Sequence, residues 1–321
     1  MSDPLITLEE IRAAAGRIRG HVIRTPLVPM SGAGVLLKAE SLQPSGAFKL
    51  RGAFNTLLQL PEAARERGVV AHSSGNHAIA VAMAAGVLGV PATIVMPADA
   101  PQVKLAWTRA LGARVEIVGP ASSERSARAA ALAEAHGLSM IEPYDARTVL
   151  AATGTITLEI LEDLASEQPI ELYVPVSGGG LIAGVAAAAK HSRASIRVIG
   201  VEPELAADAL ASRMAGARTS LPGEQMARTL ADGLRVQIVG ALPWPHIEAF
   251  VDELVTVTEA EILETMRRVA FEARLVAEPS GAVPVAAALA GRGGAGGPPA
   301  RRVAILSGGN VDPDLLARAL G

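Results

Sequence analysis

The sequence predicts an α/β protein built on parallel sheets, and two observations carry this prediction. Short runs rich in β-branched residues alternate with alanine-rich stretches of helical length along the 321 residues. The strand candidates are apolar throughout rather than at every second position, which is typical of strands covered by helices on both faces. Because ligands of open parallel sheets bind beyond the carboxyl ends of the strands, the residues that follow each strand are the candidates for function.

Each element is predicted from its own run of residues, in chain order. The predicted strands are Val35–Glu40, Val69–Ala71, Ala92–Met96, Arg114–Val118, Glu171–Val176, Arg197–Glu202, Glu253–Thr258 and Arg302–Ser307. The predicted helices are Leu8–Arg19, Phe48–Leu60, Asn76–Leu88, Gln102–Leu111, Ser122–His136, Thr155–Ala165, Leu181–His191, Glu259–Phe271 and Gly281–Ala290. Three strand–helix units of similar length fall within Val69–Met140, and they indicate a compact subdomain inside the chain.

Composition excludes several classes of protein. The chain has no cysteine, so it has no disulfide framework, thiolate nucleophile, cysteine-ligated zinc or iron–sulfur cluster. A net charge of -3 and 2% aromatic residues give no footprint for nucleic acid. The longest apolar stretch, Ala78–Pro91, is too short to span a bilayer, and the acidic, proline-containing start does not suit a secretory signal. We therefore expect a cytoplasmic protein that binds neither nucleic acid nor membrane.

Four loops rich in glycine or serine follow predicted strands, and the first of them, the lysine loop Ser41–Ala53, contains one of only four lysines. The sequence SLQPSGAFKLRGA places Lys49 early in a helix behind a Pro-Ser-Gly turn, where its amine can project over a strand-end cleft. The alternative is an ordinary surface lysine. The other three, Lys38, Lys104 and Lys190, lie within a strand or on helices that we expect to be away from the cleft mouth.

The serine loop, Ala71–His77, connects a strand to an apolar helix. The N–H groups at this helix start belong to Ser73, Ser74, Gly75 and Asn76. We expect these N–H groups to be unpaired, which would make them a cradle for a carboxylate. The alternative is a helix cap with nothing bound.

The glycine loop, Val176–Gly184, carries three consecutive glycines between a strand and a helix. Glycines there allow the backbone to approach an anion closely, and the helix start adds about half a positive charge, so a phosphate is the expected guest. One alternative is a plain tight turn. Another is a dinucleotide fingerprint of Gly178, Gly180 and Gly184 with Glu202 as the ribose ligand, but the glycine spacing is not the standard one.

The terminal loop, Leu306–Asp312, has the sequence LSGGNVD and places Ser307 at a strand end. Taken alone it is equally consistent with a simple turn. A nucleotide site would not explain a lysine in one loop and a serine in another, whereas pyridoxal phosphate explains all four loops. Its aldehyde needs a lysine amine, its phosphate a glycine-rich helix start, its ring nitrogen a partner, and the bound amino acid's carboxylate an anion cradle.

The four blocks QPSGAFKLRGA, HSSGNHA, VPVSGGGLIAG and LSGGNVD resemble the signature blocks of the threonine/serine dehydratase and serine racemase family. The resemblance runs from near residue 24 to near residue 307. It implies the fold type II (tryptophan synthase β-like) architecture, with two parallel-sheet α/β domains and the cofactor in the cleft between them. The implied large domain comprises residues 1–62 and 147–321, and the implied small, mobile domain comprises residues 63–146.

The resemblance also assigns roles, residue by residue. Lys49 resembles the lysine that forms the Schiff base and acts as general base at the substrate α-carbon, and Ser74 falls where racemases keep a second acid/base. The implied cofactor contacts are Phe48, Lys49, Asn76, Ser177, Gly178, Gly179, Gly180, Leu181, Glu278 and Ser307. The implied substrate contacts are Ser73, Ser74, Gly75, His77 and Arg125.

A second site follows from the same resemblance. The sequence VEPELAAD is similar to the divalent-cation loop of these enzymes, with Glu202 and Asp208 as carboxylate ligands and the Ala206 carbonyl between them. Oxygen ligands of this kind suit Mg, Mn or Ca. The alternative is two solvated acids.

The resemblance predicts α,β-elimination by an ammonia-lyase that converts L-threonine or L-serine to a 2-oxo acid and ammonia, acting as a homodimer. Serine racemisation is the alternative, and a nicotinamide-dependent dehydrogenase is the weakly supported alternative from another class. The sequence departs from the family pattern at Ala47, Glu142 and the pair Ala152–Thr153. These departures leave hydroxyaspartate and phenylserine open as substrates.

Overall fold

The computed structural model describes residues 5–73, 75–100, 102–119, 122–164, 168–193, 195–294 and 300–321. In chain order, its elements are α1 Leu8–Ile18, β1 Leu27–Pro29, β2 Val35–Ala39, α2 Lys49–Leu57, α3 Glu62–Arg67, β3 Val69–His72, α4 Asn76–Leu88, β4 Ala92–Pro97, α5 Gln102–Ala110, β5 Arg114–Val118, α6 Ser122–His136, β6 Ser139–Met140, α7 Arg147–Leu164, β7 Ile170–Pro175, α8 Gly180–Ser192, β8 Ile196–Pro203, α9 Asp208–Ala215, α10 Gly223–Met226, α11 Pro243–Phe250, β9 Glu253–Val257, α12 Glu259–Arg268, α13 Pro279–Ala290, β10 Arg301–Leu306 and α14 Pro313–Leu320. Short 3₁₀ turns span Glu40–Leu42 and Asp232–Leu234, and a π-helical turn, Val269–Ala273, extends α12.

The larger sheet has the strand order β1-β2-β10-β7-β8-β9, in which β1 pairs antiparallel with β2 and the other pairs are parallel. Successive side chains of β7 point to opposite faces. Leu172 and Val174 lie in a core that contains Ile182 of α8, whereas Tyr173 lies in a core that contains Val283 of α13. Both faces are therefore buried under helices, as the continuous apolar strands predict.

The smaller sheet, of order β5-β4-β3-β6, is parallel throughout and lies within residues 69–140. Its core includes Ala71 of β3 and Ile94 of β4. Leu50 and Phe54 of α2 belong to the same core, and α2 also packs against α7 beside the larger sheet. Helix α2 therefore lies between the two sheets, while the predicted domain boundaries and the mobility of the small domain stay predictions.

The structure differs from the sequence expectations mainly in segments with weak periodicity. Helix α7 begins at Arg147, eight residues before the predicted start at Thr155. It contains Gly154, which lies where α7 packs closely against α8. A Cβ at Gly154 would lie 2.9 Å from the Gly184 carbonyl oxygen, and one at Gly184 would lie 2.0 Å from the Leu150 carbonyl oxygen. Gly184, a member of the alternative dinucleotide fingerprint, thus serves the contact between α7 and α8.

Several short elements were not predicted. They are β1, β6, α3, α9, α10, α11 and α14. Helix α11 begins at Pro243 and has a second proline two residues later, and β1 contains Pro29, so neither displays the apolar period that a sequence search detects. Among the described residues, no helix has the length and apolarity to cross a membrane, and the expected cytoplasmic location stays a prediction.

Candidate active site

Neighbouring strands bring the lysine loop and the terminal loop together. Because β2 lies beside β10 in the larger sheet, the residues that follow these strands meet at one edge. Ala47 bridges to Gly308, and the Phe48 N–H donates to the Ser307 carbonyl at 3.0 Å. Ser307 is buried. The helix that begins at Lys49 therefore starts at the strand-end cleft, as predicted.

The Lys49 amine lies in a narrow recess where solvent is largely excluded. Its Nζ donates to the Pro143 carbonyl at 2.6 Å and lies 5.0 Å from the Phe48 ring centroid. Burial lowers the pKa of Lys49 to about 8. The recess is lined by Phe48, Lys49, Gly52, Ala53, His77, Glu142, Pro143, Val149 and Thr153.

Glu142 and Thr153, two residues at which the sequence departs from the family pattern, line this recess. Burial and the charge of Asp145 raise the pKa of Glu142. The Thr153 hydroxyl lies 2.9 Å from the Gly180 carbonyl and 3.0 Å from the Leu150 carbonyl, so it ties α7 to the start of α8. These departures from the family pattern therefore line the same recess as Lys49.

A buried charge network, formed by Lys38, Glu40, Arg51 and Glu159, holds the beginning of α2. The Arg51 guanidinium lies 2.7 Å from Glu40 and 2.6 Å from Glu159, and Lys38 Nζ lies 2.6 Å from the other oxygen of Glu159. The side chains of Lys38, Glu40 and Arg51 are fully buried. Arg51 is two residues from Lys49, so the network fixes the start of α2, including Lys49, relative to β2 and α7. The sequence analysis missed it because its members are up to 121 residues apart.

The serine loop leads from β3 into α4. The Ser73 N–H donates to the Val95 carbonyl at 3.1 Å, and the Gly75 N–H donates to Ser73 Oγ at 3.1 Å. Two of the four N–H groups expected to be unpaired therefore have partners, because the loop folds back on itself and on β4. Ser74, the predicted second acid/base, lies outside the described residues.

Two basic side chains accompany this loop. His77 Nε2 lies 2.9 Å from the Ile141 carbonyl, and burial together with the charge of Lys49 lowers the pKa of His77 to about 3. His77 is therefore neutral. Arg125, on α6, is close enough for its charge to lower the pKa of His72 at the end of β3, where burial has the larger effect.

The three consecutive glycines of the glycine loop have no room for side chains. A Cβ at Gly178 would lie 2.5 Å from the Tyr144 ring, one at Gly179 2.7 Å from Pro243, and one at Gly180 2.7 Å from the Tyr144 carbonyl oxygen. Ser177 adopts a φ of 54°, and its hydroxyl donates to the Gly233 carbonyl at 3.1 Å. Helix α8 begins at Gly180, so its first N–H groups, including that of the buried Leu181, are free of intrahelical partners. The sequence analysis missed Tyr144, which covers the loop from well upstream in the chain.

Two polar pairs connect helices α4 and α5 to the segments that contain Glu278 and Asp232. Asn76 Nδ2 donates to Glu278 Oε1 at 2.6 Å, and burial, with the charge of Asp232, raises the pKa of Glu278 to about 8. Lys104 Nζ lies 3.1 Å from Asp232 and 4.0 Å from the position of a Cβ on Gly75. The expectation that Lys104 lies away from the cleft was wrong, because the tertiary fold brings its amine to Asp232, in the 3₁₀ turn Asp232–Leu234, and close to Gly75 of the serine loop.

Glu202 and Asp208 lie together at the end of β8. Glu202 accepts hydrogen bonds from the N–H groups of Ala209 and Leu210 at 3.1 and 2.9 Å. Ala206, which lies between the two acids along the chain, is buried. Burial and the charge of Asp208 raise the pKa of Glu202 to about 8, and burial raises that of Asp208 to about 7. Within the described part of the chain, no three histidine, aspartate or glutamate side chains group closely enough to hold a metal.

Comparison with known proteins agrees with this arrangement. Residues 18–308 match the family described as pyridoxal-phosphate dependent enzymes. The chain is 41% identical to an L-threonine ammonia-lyase from Thermotoga maritima, with 98% of this chain and 78% of the relative covered. It is 40% identical to a serine racemase from Arabidopsis thaliana, with 94% and 92% covered. The structure of maize serine racemase superposes with a TM-score of 0.92 at 36% identity, covering 99% and 97% of the chains.

Proposed function

The chain belongs to the pyridoxal-phosphate dependent enzyme family, in its fold type II branch, and from this premise we propose that it is an ammonia-lyase for a β-hydroxy-α-amino acid. L-Threonine and L-serine are the proposed substrates, and a 2-oxo acid and ammonia are the products. The observation that carries the proposal is the Lys49 amine, which is held in a recess at the meeting point of the loops with a pKa lowered to about 8. Similarity to an L-threonine ammonia-lyase supports the same reaction.

The residues of the cleft fit the cofactor of the family. The positions of Gly178, Gly179 and Gly180 exclude side chains, and the helix start beside them presents N–H groups suited to a phosphate. Ser307 is the proposed partner of the ring nitrogen, Asn76 of the 3-oxygen, and Phe48 of the ring face. When bound, pyridoxal phosphate supplies an electron sink for the carbanion at the substrate α-carbon.

The chain's own residues would remove the α-proton and bind the substrate. An amine with a pKa of about 8 is partly neutral at physiological pH, so Lys49 can take the proton from the α-carbon. We assign the substrate carboxylate to the serine loop, with Arg125 as a further cation. His77, neutral because its pKa is lowered to about 3, would serve as a wall of the recess rather than as a proton donor.

The test is a substrate panel scored for 2-oxo acid with wild type, Lys49→Ala and Lys190→Ala. Lys190 is the matched control because its amine pairs with Asp252 on the surface at 2.7 Å, remote from the recess. We expect the Lys49 variant to lose activity and to keep its fold, and the Lys190 variant to retain both. Full activity in the Lys49 variant would refute the assignment. Activity confined to hydroxyaspartate or phenylserine would change the substrate and keep the reaction class.

Racemisation is the second candidate, supported by the similarity to serine racemases. It needs a proton donor on the face of the α-carbon opposite Lys49, and Ser74 is the proposed donor. Chiral analysis of recovered serine after incubation of wild type and Ser74→Ala separates the two reactions. D-Serine formed by wild type and abolished in the variant supports racemisation, whereas 2-oxo acid without D-serine supports elimination alone.

We also propose that Glu202, Asp208 and the Ala206 carbonyl hold a divalent cation. Both carboxylate oxygens of Asp208 are buried beside the carboxylate of Glu202. Two adjacent buried carboxylates are unfavourable unless a cation compensates them. Mg²⁺, Mn²⁺ or Ca²⁺ should raise the melting temperature of EDTA-treated wild type and leave Asp208→Asn unaffected. An equal effect on both proteins would contradict the site.

The proposed assembly is a homodimer. Ile23 and Leu42 are exposed apolar residues on two segments that Gln43 ties together through the Ile23 main chain. Val276, also exposed, has its carbonyl near Gly309, beside Ser41. This exposed apolar surface supports an interface with a second copy. Light scattering of wild type and Leu42→Glu gives the test, and a monomeric wild type would overturn the proposal.

A further inference from the structure

Asn310, in the terminal loop, lies between two parts of the candidate site. It is one of only three asparagines in the chain, with Asn55 and Asn76. Its Nδ2 lies 2.8 Å from the Ser45 carbonyl oxygen and 2.8 Å from Asn76 Oδ1. One amide group therefore contacts the loop before Lys49 and the first residue of α4 at the same time.

These two contacts determine first the orientation of the Asn310 side-chain amide and then that of the Asn76 side-chain amide. The main-chain carbonyl of Ser45 is an acceptor only, so the NH₂ group of Asn310 must face it. The same NH₂ group faces Asn76, so the side-chain oxygen of Asn76 must point toward Asn310. The Asn76 NH₂ group is then turned the other way, toward Glu278 Oε1 at 2.6 Å.

The surroundings of Asn310 are shaped to admit its side chain. A Cβ at Gly46 would lie 2.0 Å from Asn310 Oδ1, and Gly46 has a φ of 73°, which glycine adopts readily. The Gly309 N–H donates to the Gly46 carbonyl at 2.9 Å. The main chain of Asn310 also stabilises the charged form of Glu278 and so opposes the larger effects of burial and Asp232 on its pKa. Asn310 thus contacts the side-chain oxygen of Asn76, and its main chain acts on Glu278, the acid that accepts from the Asn76 NH₂ group.

We propose that Asn310 is a positioning residue that fixes the carboxamide of Asn76 with its NH₂ group available to the cofactor. This rests on the proposed function, in which Asn76 is the partner of the cofactor's 3-oxygen. Of the two hydrogens on Asn76 Nδ2, one is engaged by Glu278, and the second is the donor for the 3-oxygen. Reversal of the amide would present an oxygen there instead. The orientation of Asn76 is therefore set by the Ser45 carbonyl and transmitted through Asn310.

The test is Asn310→Asp, which keeps the size of the side chain and removes its donors. The new carboxylate faces the Ser45 carbonyl and Asn76, and Asn76 is expected to turn its NH₂ group toward that carboxylate. We expect the dissociation constant for pyridoxal phosphate, titrated by fluorescence, to rise about tenfold, the effect of one lost hydrogen bond. We also expect bound cofactor to absorb more strongly in its shorter-wavelength band, because an oxygen facing the 3-oxygen favours the protonated form.

Asn55→Asp is the matched control. Asn55 also donates through Nδ2 to a main-chain carbonyl, that of Thr148 at 2.6 Å, but it lies on the side of α2 that faces α7. We expect its cofactor affinity and spectrum to equal those of wild type. Asn310→Ala is the second variant if the aspartate protein does not fold, and a rise in the dissociation constant is expected there too.

The outcomes separate this inference from the proposed function. If wild type binds pyridoxal phosphate and the Asn310 variants match its affinity and band ratio, the positioning role is refuted. A weaker affinity with an unchanged band ratio would also refute it, since a merely structural tie between the loops would produce that result. If wild type itself does not bind the cofactor, the proposed function fails instead.

Discussion

Replacing Arg51 with methionine tests how much the buried charge network at the start of α2 stabilises the fold. In wild type, the Arg51 side chain has no solvent exposure and contacts Glu40 and Glu159 at 2.7 and 2.6 Å. Methionine retains much of the apolar volume but leaves the fully buried Glu40 without the cation that hydrogen-bonds to it, and only the charge of Lys38 still acts on it. Removing one partner of a buried pair costs about 3–5 kcal/mol, so we expect a loss of unfolding free energy of that size. Glu159 still pairs with Lys38 at 2.6 Å in the variant, so it contributes less to the loss of unfolding free energy.

The measurement is urea denaturation of wild type, Arg51→Met and Arg24→Met. Arg24 is the matched control because its guanidinium also contacts two acids, Glu162 and Asp163, but at the surface, where 49% of the Arg24 side chain is exposed. A surface pair contributes about 0–1 kcal/mol, so Arg24→Met should unfold close to wild type. Equal losses of about 1 kcal/mol or less in both variants would refute the reasoning.

The same variant makes a prediction about pH. Burial raises the pKa of Glu40, but the charge and hydrogen bonds of Arg51 outweigh it and hold that pKa below its ordinary value of 4.5. A lowered pKa contributes stability that is present above the unfolded value and is lost as the pH falls through the folded one. The difference in stability between wild type and Arg51→Met should therefore be large near neutral pH and should narrow in acid below the ordinary pKa of Glu40. A difference that is constant down to acid pH would contradict this role for Glu40.

Two further predictions concern the recess and the glycine loop, and a third variant on α1 is their control. Because its pKa is about 8, Lys49 should bind pyridoxal phosphate faster as the pH rises, with a rate that increases roughly tenfold per pH unit below pH 8 and little above it. Stopped-flow absorbance of the apoenzyme measures this rate. A rate that continues to rise up to pH 10 would contradict the lowered pKa. Gly178→Ala should raise the cofactor dissociation constant at least tenfold, because its Cβ would lie 2.5 Å from the Tyr144 ring, and unchanged affinity would contradict the close fit. Gly16→Ala, on α1 with nothing within 4 Å of the new Cβ, is the control and should stabilise the protein by up to about 1 kcal/mol in thermal unfolding.

The fold class and the loops at the strand ends followed from local patterns. Strands β7 and β8 are apolar along their length because both faces are covered, and this composition is visible without any partner. The start of α7 was placed too late because its first turns are fixed by packing between Gly154 and Gly184 rather than by an apolar period. The antiparallel β1 and the proline-rich α11 also depend on neighbours, so a search for periodicity did not detect them.

For the candidate site, the sequence by itself determined which residue types follow the strands, including the single lysine with loops suited to anions around it. Spacing along the chain is enough for that, since the carboxyl ends of parallel strands meet at one edge. Only the tertiary structure placed Tyr144 over the glycine loop, Lys104 beside Asp232 and Asn310 against Asn76. These contacts join residues that are distant in sequence, and their energies depend on burial and on orientation, two quantities that exist only once the chain has folded.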